Sequence, residues 1–132
     1  MFRSQISRSF IADPAQLEEV RRFVSGAAER AGLSEQTTDD LVLAANEAAT
    51  NSILHSGTKR FHVRWLALDD RVEIEIHDEG LFERRILMHQ LDGSAGLGIP
   101  LMMSLTDELE LHEGIPSRPG TRTRLVKFRT GS

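Results

Sequence analysis

The chain has 132 residues, 39% of them hydrophobic and 27% charged, which suits one globular domain with a real core rather than a disordered tail. It contains no cysteine, which excludes a disulfide framework and thiolate chemistry, and its formal charge of -4 argues against nonspecific or direct nucleic-acid binding. The opening "MFRSQISRSFIADPAQ" lacks the apolar run of a signal peptide, and no stretch approaches the roughly 20 apolar residues of a membrane span. The expectation is a soluble, cytoplasmic protein with a single domain over residues 1–132.

Phe2, Ile6 and Phe10 fall at even positions of "FRSQISRSFI", the period of a strand with one covered face. Asp13 and Pro14 then open a helix, the first as a cap and the second as its first residue. Leu17, Val20, Val24 and Ala27 or Ala28 form its apolar stripe, and the region of Gly32 ends it. Ser34 is the predicted N-cap of a longer helix that runs to about His55 and stops at Ser56 and Gly57. There the period changes to two: Phe61, Val63 and Trp65 alternate with His62 and Arg64, and after Asp69 and Asp70 the residues Val72, Ile74 and Ile76 alternate with Glu73, Glu75 and His77. This predicts a hairpin with one dry face. The Gly- and Ser-containing "HQLDGSAGLG" leads into a short helix, "IPLMMSL", and strands around "DELELHE" and "GTRTRLVKF" follow, joined by the turn "GIPSRPG". The order β-α-α-β-β-α-β-β predicts an α+β fold, a two-layer α/β sandwich with helices on one face of a mainly antiparallel sheet.

On the second helix Glu47, Asn51 and His55 recur every four residues. That spacing advances about 40° beyond a full turn each time, so the three side chains stand in one file spanning about 80°. A solvated face would carry Lys and Arg, and none occurs between Asp40 and Gly57. The small flank of Ala44, Ala48 and Thr50 would let a ligand approach the helix. Zinc is disfavoured, because a single His beside one Glu is poor in ligands and "HExxH" is absent.

"NEAATNSILHSG" resembles the N-box of the GHKL (Bergerat-fold) ATPases, "IHDEG" at a strand end resembles their first glycine box, "GSAGLGIPLM" resembles the second, and "GTRTRL" resembles the Gly-Thr turn before the last strand. The four motifs stand in family order across almost the whole chain. The resemblance implies an ATP and Mg²⁺ site: Asp78 would accept from the adenine amine, Gly80 would let the backbone turn against the purine, and Thr121 would approach the adenine from the last strand. Gly96, Leu97 and Gly98 would offer backbone N–H groups and a helix start to the phosphates. Asn51 would bind Mg²⁺ through its amide oxygen, and Glu47 would be the general base. His55 would have a structural or phosphate-side role.

"EAATNSILHSG" and "GLGIPLMMSLTDELEL" are most similar to the small bacterial anti-sigma factor serine kinases. That branch implies a homodimer that holds a sigma factor and phosphorylates a serine of a STAS-type antagonist. Arg21 falls where those kinases use an arginine to contact partners, with Arg22 beside it. Phe82 stands where the first glycine box often has a second Gly, the lid segment from Leu81 to Ala95 is short, and Ser94-Ala95 replace a basic residue for which Arg84 or Arg85 would have to substitute. Two alternatives stand beside this reading: a switch kinase acting on a STAS scaffold without binding a sigma factor, and, motivated by Phe82 and the short lid, a non-catalytic anti-sigma or adaptor module with a degenerate nucleotide site.

Overall fold

A long second helix crosses one face of a curved sheet, and its alanines set the distance between the two. The computed structural model describes residues 2–55, 57–80, 98–115 and 117–129. Five strands, β1 (Phe2–Ile11), β2 (Arg60–Leu68), β3 (Arg71–Asp78), β4 (Glu108–Ile115) and β5 (Arg118–Phe128), form one sheet in the order β1-β2-β3-β5-β4, with every neighbouring pair antiparallel. Helices α1 (Leu17–Arg30), α2 (Glu35–His55) and α3 (Gly98–Leu105) lie on one face, with α1 and α3 each packed against α2. The expected sandwich and element order are those observed.

The local signals act as read. Asp13 caps its turn by accepting from the Ala15 N–H at 2.9 Å; Pro14–Gln16 form a 3-10 turn, so the α-helix proper starts at Leu17 rather than at Pro14. Gly32, at φ +76°, closes α1 in the left-handed region, its N–H bonded to the Glu29 carbonyl and that of Leu33 to Ala28. Ser34 caps α2 by accepting from the Thr37 N–H at 3.1 Å. Strands β4 and β5 each run further into "GIPSRPG" than expected, and their register shifts between Glu113 and Ile115. That irregularity lets Pro119 and Gly120 sit in a paired strand.

The core lies between the layers. Phe61, Val63, Trp65 and Ala67 of β2 and Val72, Ile74 and Ile76 of β3 are buried against Leu41, Ala44, Ala45, Ala48 and Ala49 of α2. Phe10 stacks on Phe61 at 5.4 Å and meets the edge of Phe23 at 6.2 Å. Arg8, in register with Val63, shares this inner phase; its guanidinium lies 4.7 Å from the Phe10 ring and 3.5 Å from Glu19, which carries the charge outward at the sheet edge. Ala44 and Ala48 are core residues, not an open flank beside the polar file: with only methyl groups between them, helix and sheet approach closely.

The face away from the helices is held by ions in cross-strand register. Arg124 grips Glu73 with two N–H donors at 2.8 and 2.9 Å, Arg71 Nε adds a third at 2.7 Å, and Arg124 also donates to Glu110 at 2.6 Å. The Arg124 guanidinium, followed by Arg71, outweighs the cost of burial and holds the Glu73 carboxyl below the ordinary carboxylate range. A carboxyl depressed in the folded state stabilises it above the unfolded pKa and loses that contribution as pH falls through the folded value. Glu73→Gln is therefore expected to lower stability at pH 7 by about 1–3 kcal/mol, with the gap to the parent closing as pH drops below the usual carboxylate range. Urea unfolding across pH checks this, and a pH-independent gap would contradict it.

Candidate functional site

The site starts from a carboxylate placed where a strand runs out. Asp78 ends β3, its side chain in phase with Val72, Ile74 and Ile76 toward the helices, and it is 1% exposed. A carboxyl buried there requires hydrogen-bond partners. Ser52 Oγ on α2 donates to Asp78 Oδ2 at 2.5 Å, and the Gly80 N–H folds back to Oδ1 at 2.8 Å. Gly80 is tied in turn: its carbonyl accepts from Thr121 Oγ1 at 2.7 Å, and Thr121 is the register partner of Asp78 on β5. Ser52, Asp78, Gly80 and Thr121 thus form one continuous hydrogen-bonded chain across α2, β3 and β5.

The polar file of α2 adjoins this chain. Asn51 is buried, at 8% exposure, and precedes Ser52; Glu47 is one turn earlier and partly buried. Four helical residues rise about 6 Å, so Glu47, Asn51 and the buried Ser52 hydroxyl follow one another along α2, with Ser52 bonded to the end of β3. Leu41, Ala45 and Ala49 anchor the same helix in the core, which fixes the rotation that presents them. His55 is the last residue of α2, and its side chain lies outside the described residues.

Of the residues singled out in the sequence, Asp78, Gly80 and Thr121 are joined by hydrogen bonds and register, Asn51 adjoins them beside Ser52, and Glu47 stands one turn earlier on α2. Gly98 opens α3, whereas Gly96, Leu97 and the lid segment with Phe82, Arg84 and Arg85 lie outside the described residues. Arg21 is elsewhere, exposed on α1, where its Nη1 donates to Asn46 Oδ1 at 2.8 Å; Arg22 instead pairs with Glu18 and Glu19 of its own helix. Arg21 therefore touches the residue preceding Glu47. It lines a groove of about 550 Å³ between α1 and α2, with Glu18, Arg22, Ser25, Glu29 and Asp39.

Ser52 is the residue whose part in the site the sequence did not reveal. It is packed, at 2% exposure, yet its hydroxyl serves the site. The available signal was a polar residue in an otherwise Ala- and Leu-lined phase, directly after Asn51.

The donor set fits a nucleotide with a hard cation. A carboxylate acts only as acceptor when ionised, which suits an amine-bearing base, and an amide oxygen suits Mg²⁺. Among the described residues, no cluster of three or more His, Cys, Asp or Glu could hold a metal by itself.

A profile of the histidine kinase-like ATPase domain matches residues 10–127. The chain is 30% identical over 135 residues to serine-protein kinase RsbW of Bacillus pumilus, covering 89% of this chain and 81% of that protein. In three dimensions it matches the crystal structure of the RsbU and RsbW domains of a Mycobacterium tuberculosis protein with a TM-score of 0.70 at 17% identity, over 97% of this chain and 34% of that one. It matches the SiaB–SiaC complex from Pseudomonas aeruginosa with a TM-score of 0.69 at 14% identity, over 92% and 89% of the two chains. The structural matches speak to the fold, which is of the Bergerat type.

Removing the Ser52 hydroxyl leaves a buried carboxylate short of a donor. Ser52→Ala is expected to lower unfolding free energy by about 1–3 kcal/mol, read as a lower urea midpoint. An unchanged midpoint would show that Asp78 does not depend on this bond.

Proposed function

Because this chain belongs to the histidine kinase-like ATPase domain family, we propose that it is an ATP-dependent protein serine kinase that also acts as an anti-sigma factor. The supporting observation is the hydrogen-bonded chain Ser52–Asp78–Gly80–Thr121 set beside Asn51 and Glu47. Bound ATP supplies the transferable phosphoryl group, and Mg²⁺ neutralises charge on its phosphates. Asp78, pinned by Ser52 and the Gly80 N–H, accepts from the adenine amine and selects the base; Thr121 holds the Gly80 turn in place against the purine. Asn51 contributes its amide oxygen to the cation. Gly98 opens α3, and the backbone N–H groups of Gly98 and of Gly96 and Leu97 before it in the sequence would serve the phosphates.

Glu47 orients the attacking serine hydroxyl of the protein substrate and takes its proton as the oxygen bonds to the γ-phosphorus and the bond to the β-phosphate oxygen breaks, releasing ADP. The substrate in this reading is a STAS-type antagonist, and the sequestered partner is a sigma factor. Arg21, exposed on α1 and hydrogen-bonded to Asn46, is the partner-contacting residue, and the kinase works as a homodimer. No helix among the described residues is long and apolar enough to cross a membrane.

Two experiments test this. Glu47→Gln should slow transfer of labelled phosphate to a STAS-type antagonist by about 10²–10⁴-fold while ATP binding, measured by calorimetry, persists; undiminished transfer would remove Glu47 from the base role. In a pull-down with sigma factors, Arg21→Ala should capture less than the parent whereas Arg22→Ala, whose parent side chain is tied within α1, should not. Transfer without any sigma factor capture would instead favour the switch kinase, and absence of both ATP binding and transfer the adaptor module.

A further inference from the structure

Strand alternation gives the helix-free face of the sheet its own rows of side chains. In one row Arg64, Glu75, Arg124 and Glu110 lie in register across β2, β3, β5 and β4, alternating in sign. The next row toward the Asp78 end is different: Ser9, His62, His77, Arg122 and His112 are register partners across all five strands, without a carboxylate. His62 shares a 2.6 Å hydrogen bond with Ser9, and its ring lies 6.2 Å from that of His77.

At the β5–β4 end of this row His77, His112, Glu113, Gly114, Gly120 and Arg122 line a depression of about 190 Å³. Glycine keeps it open. Gly120 has φ +155°, and a Cβ there would come within 3.3 Å of His77 Nε2 and 3.5 Å of the Asp78 carbonyl oxygen. A glycine within a strand often marks a bulge or a close approach by a ligand or another part of the backbone, and here the close neighbours are His77 and the Asp78 carbonyl. The nearby open-face carboxylates are engaged: Glu75 with Arg64 at 3.2 Å and Arg122 Nε at 3.4 Å, Glu110 with Arg124 at 2.6 Å and His112 Nε2 at 3.7 Å. Glu113 also lines the depression, although its register with Thr121 gives it the opposite strand phase.

We propose that this depression binds a small oxyanion of phosphate chemistry, gripped by the Arg122 guanidinium and flanked by His77 and His112. A guanidinium has five N–H donors, of which the Glu75 contact uses Nε, and its planar fork matches a phosphate edge. The volume is below the roughly 300–1,000 Å³ of sites for drug-sized ligands, so it suits a single phosphoryl group rather than a nucleotide. The site stands back to back with the Asp78–Thr121 pair and does not rest on the kinase reading: His77 precedes Asp78 and Gly120 precedes Thr121, but the side chains of His77 and Asp78 point to opposite faces.

The test is a titration of the full chain with inorganic phosphate, followed by NMR against a chloride control of equal ionic strength. Saturable shifts are expected at His77, His112, Gly120 and Arg122, with affinity about tenfold lower in Arg122→Gln and also reduced in His112→Gln, an exposed position whose replacement leaves the core untouched. Free phosphoserine in a parallel arm distinguishes a phosphorylated side chain from free phosphate as the source. Shifts that merely follow chloride, shifts confined to the Asn51 side of the sheet, unchanged affinity in both variants, or equal affinity for citrate would each overturn the assignment.

Discussion

The hydrogen bond from Ser52 to Asp78 is the contact on which the rest of the site depends, because it joins the helix layer to the end of the sheet at a buried charge. A carboxyl at 1% exposure is tolerable only with partners held in place, and among the described residues two come from unrelated segments: a hydroxyl on α2 and a backbone N–H two residues downstream. The first requires α2 to lie close to β3, which its run of buried alanines permits; the second requires the chain to turn back at Gly80, which Thr121 secures from the neighbouring strand. Packing, turn and charge are thus mutually dependent, and Glu47 and Asn51 inherit their positions from that arrangement.

The sheet meets two different demands with one backbone. Toward the helices the β3 phase of Val72, Ile74 and Ile76 is apolar until its last position, Asp78; the opposite phase of β3 is charged, with no helix among the described residues packed on it. Val126 nonetheless reaches 0% exposure on that outer phase, and Glu73 8%, because Arg71, Arg124 and the facing glutamates cover them. Long side chains locked in register therefore act as a thin third layer. Each ion pair is worth little when solvated, but Arg124 is shared by two glutamates and Glu73 by two arginines, a bidentate network rather than isolated pairs.

Much of this was legible because the local signals agree with the tertiary ones. The alternation from Phe61 to Ile76 could form only a hairpin, and the caps Asp13 and Ser34 sit where their side chains meet free N–H groups. The motif residues Glu47, Asn51, Asp78, Gly80 and Thr121 could be picked out in order, and of these Asp78, Gly80 and Thr121 are joined in the fold. Ser52 could not, since a hydroxyl within an apolar phase reads as packing until the strand end opposite it is known. The alanines misled in the converse way: smallness beside a polar file suggests room for a ligand, yet the neighbour turned out to be the sheet. Arg8 likewise breaks its strand's pattern, and only the edge position of β1 explains how a charge shares a phase with Phe10.

Register also explains why the His77 row escaped notice in the chain. Ser9, His62, His77, Arg122 and His112 are scattered over more than a hundred residues, and none of the spacings forms a motif. They become neighbours only through four antiparallel pairings, one of which inserts β5 between β3 and β4. The same insertion puts Thr121 opposite Asp78. A one-residue slip of β5 would move Thr121 to the outer face and Arg122 into the core phase, dismantling both arrangements at once. The apolar face of β5, with Leu125 at 0% exposure in register with Ile74, is what resists that slip, so core packing far from either group of residues enforces the geometry of both.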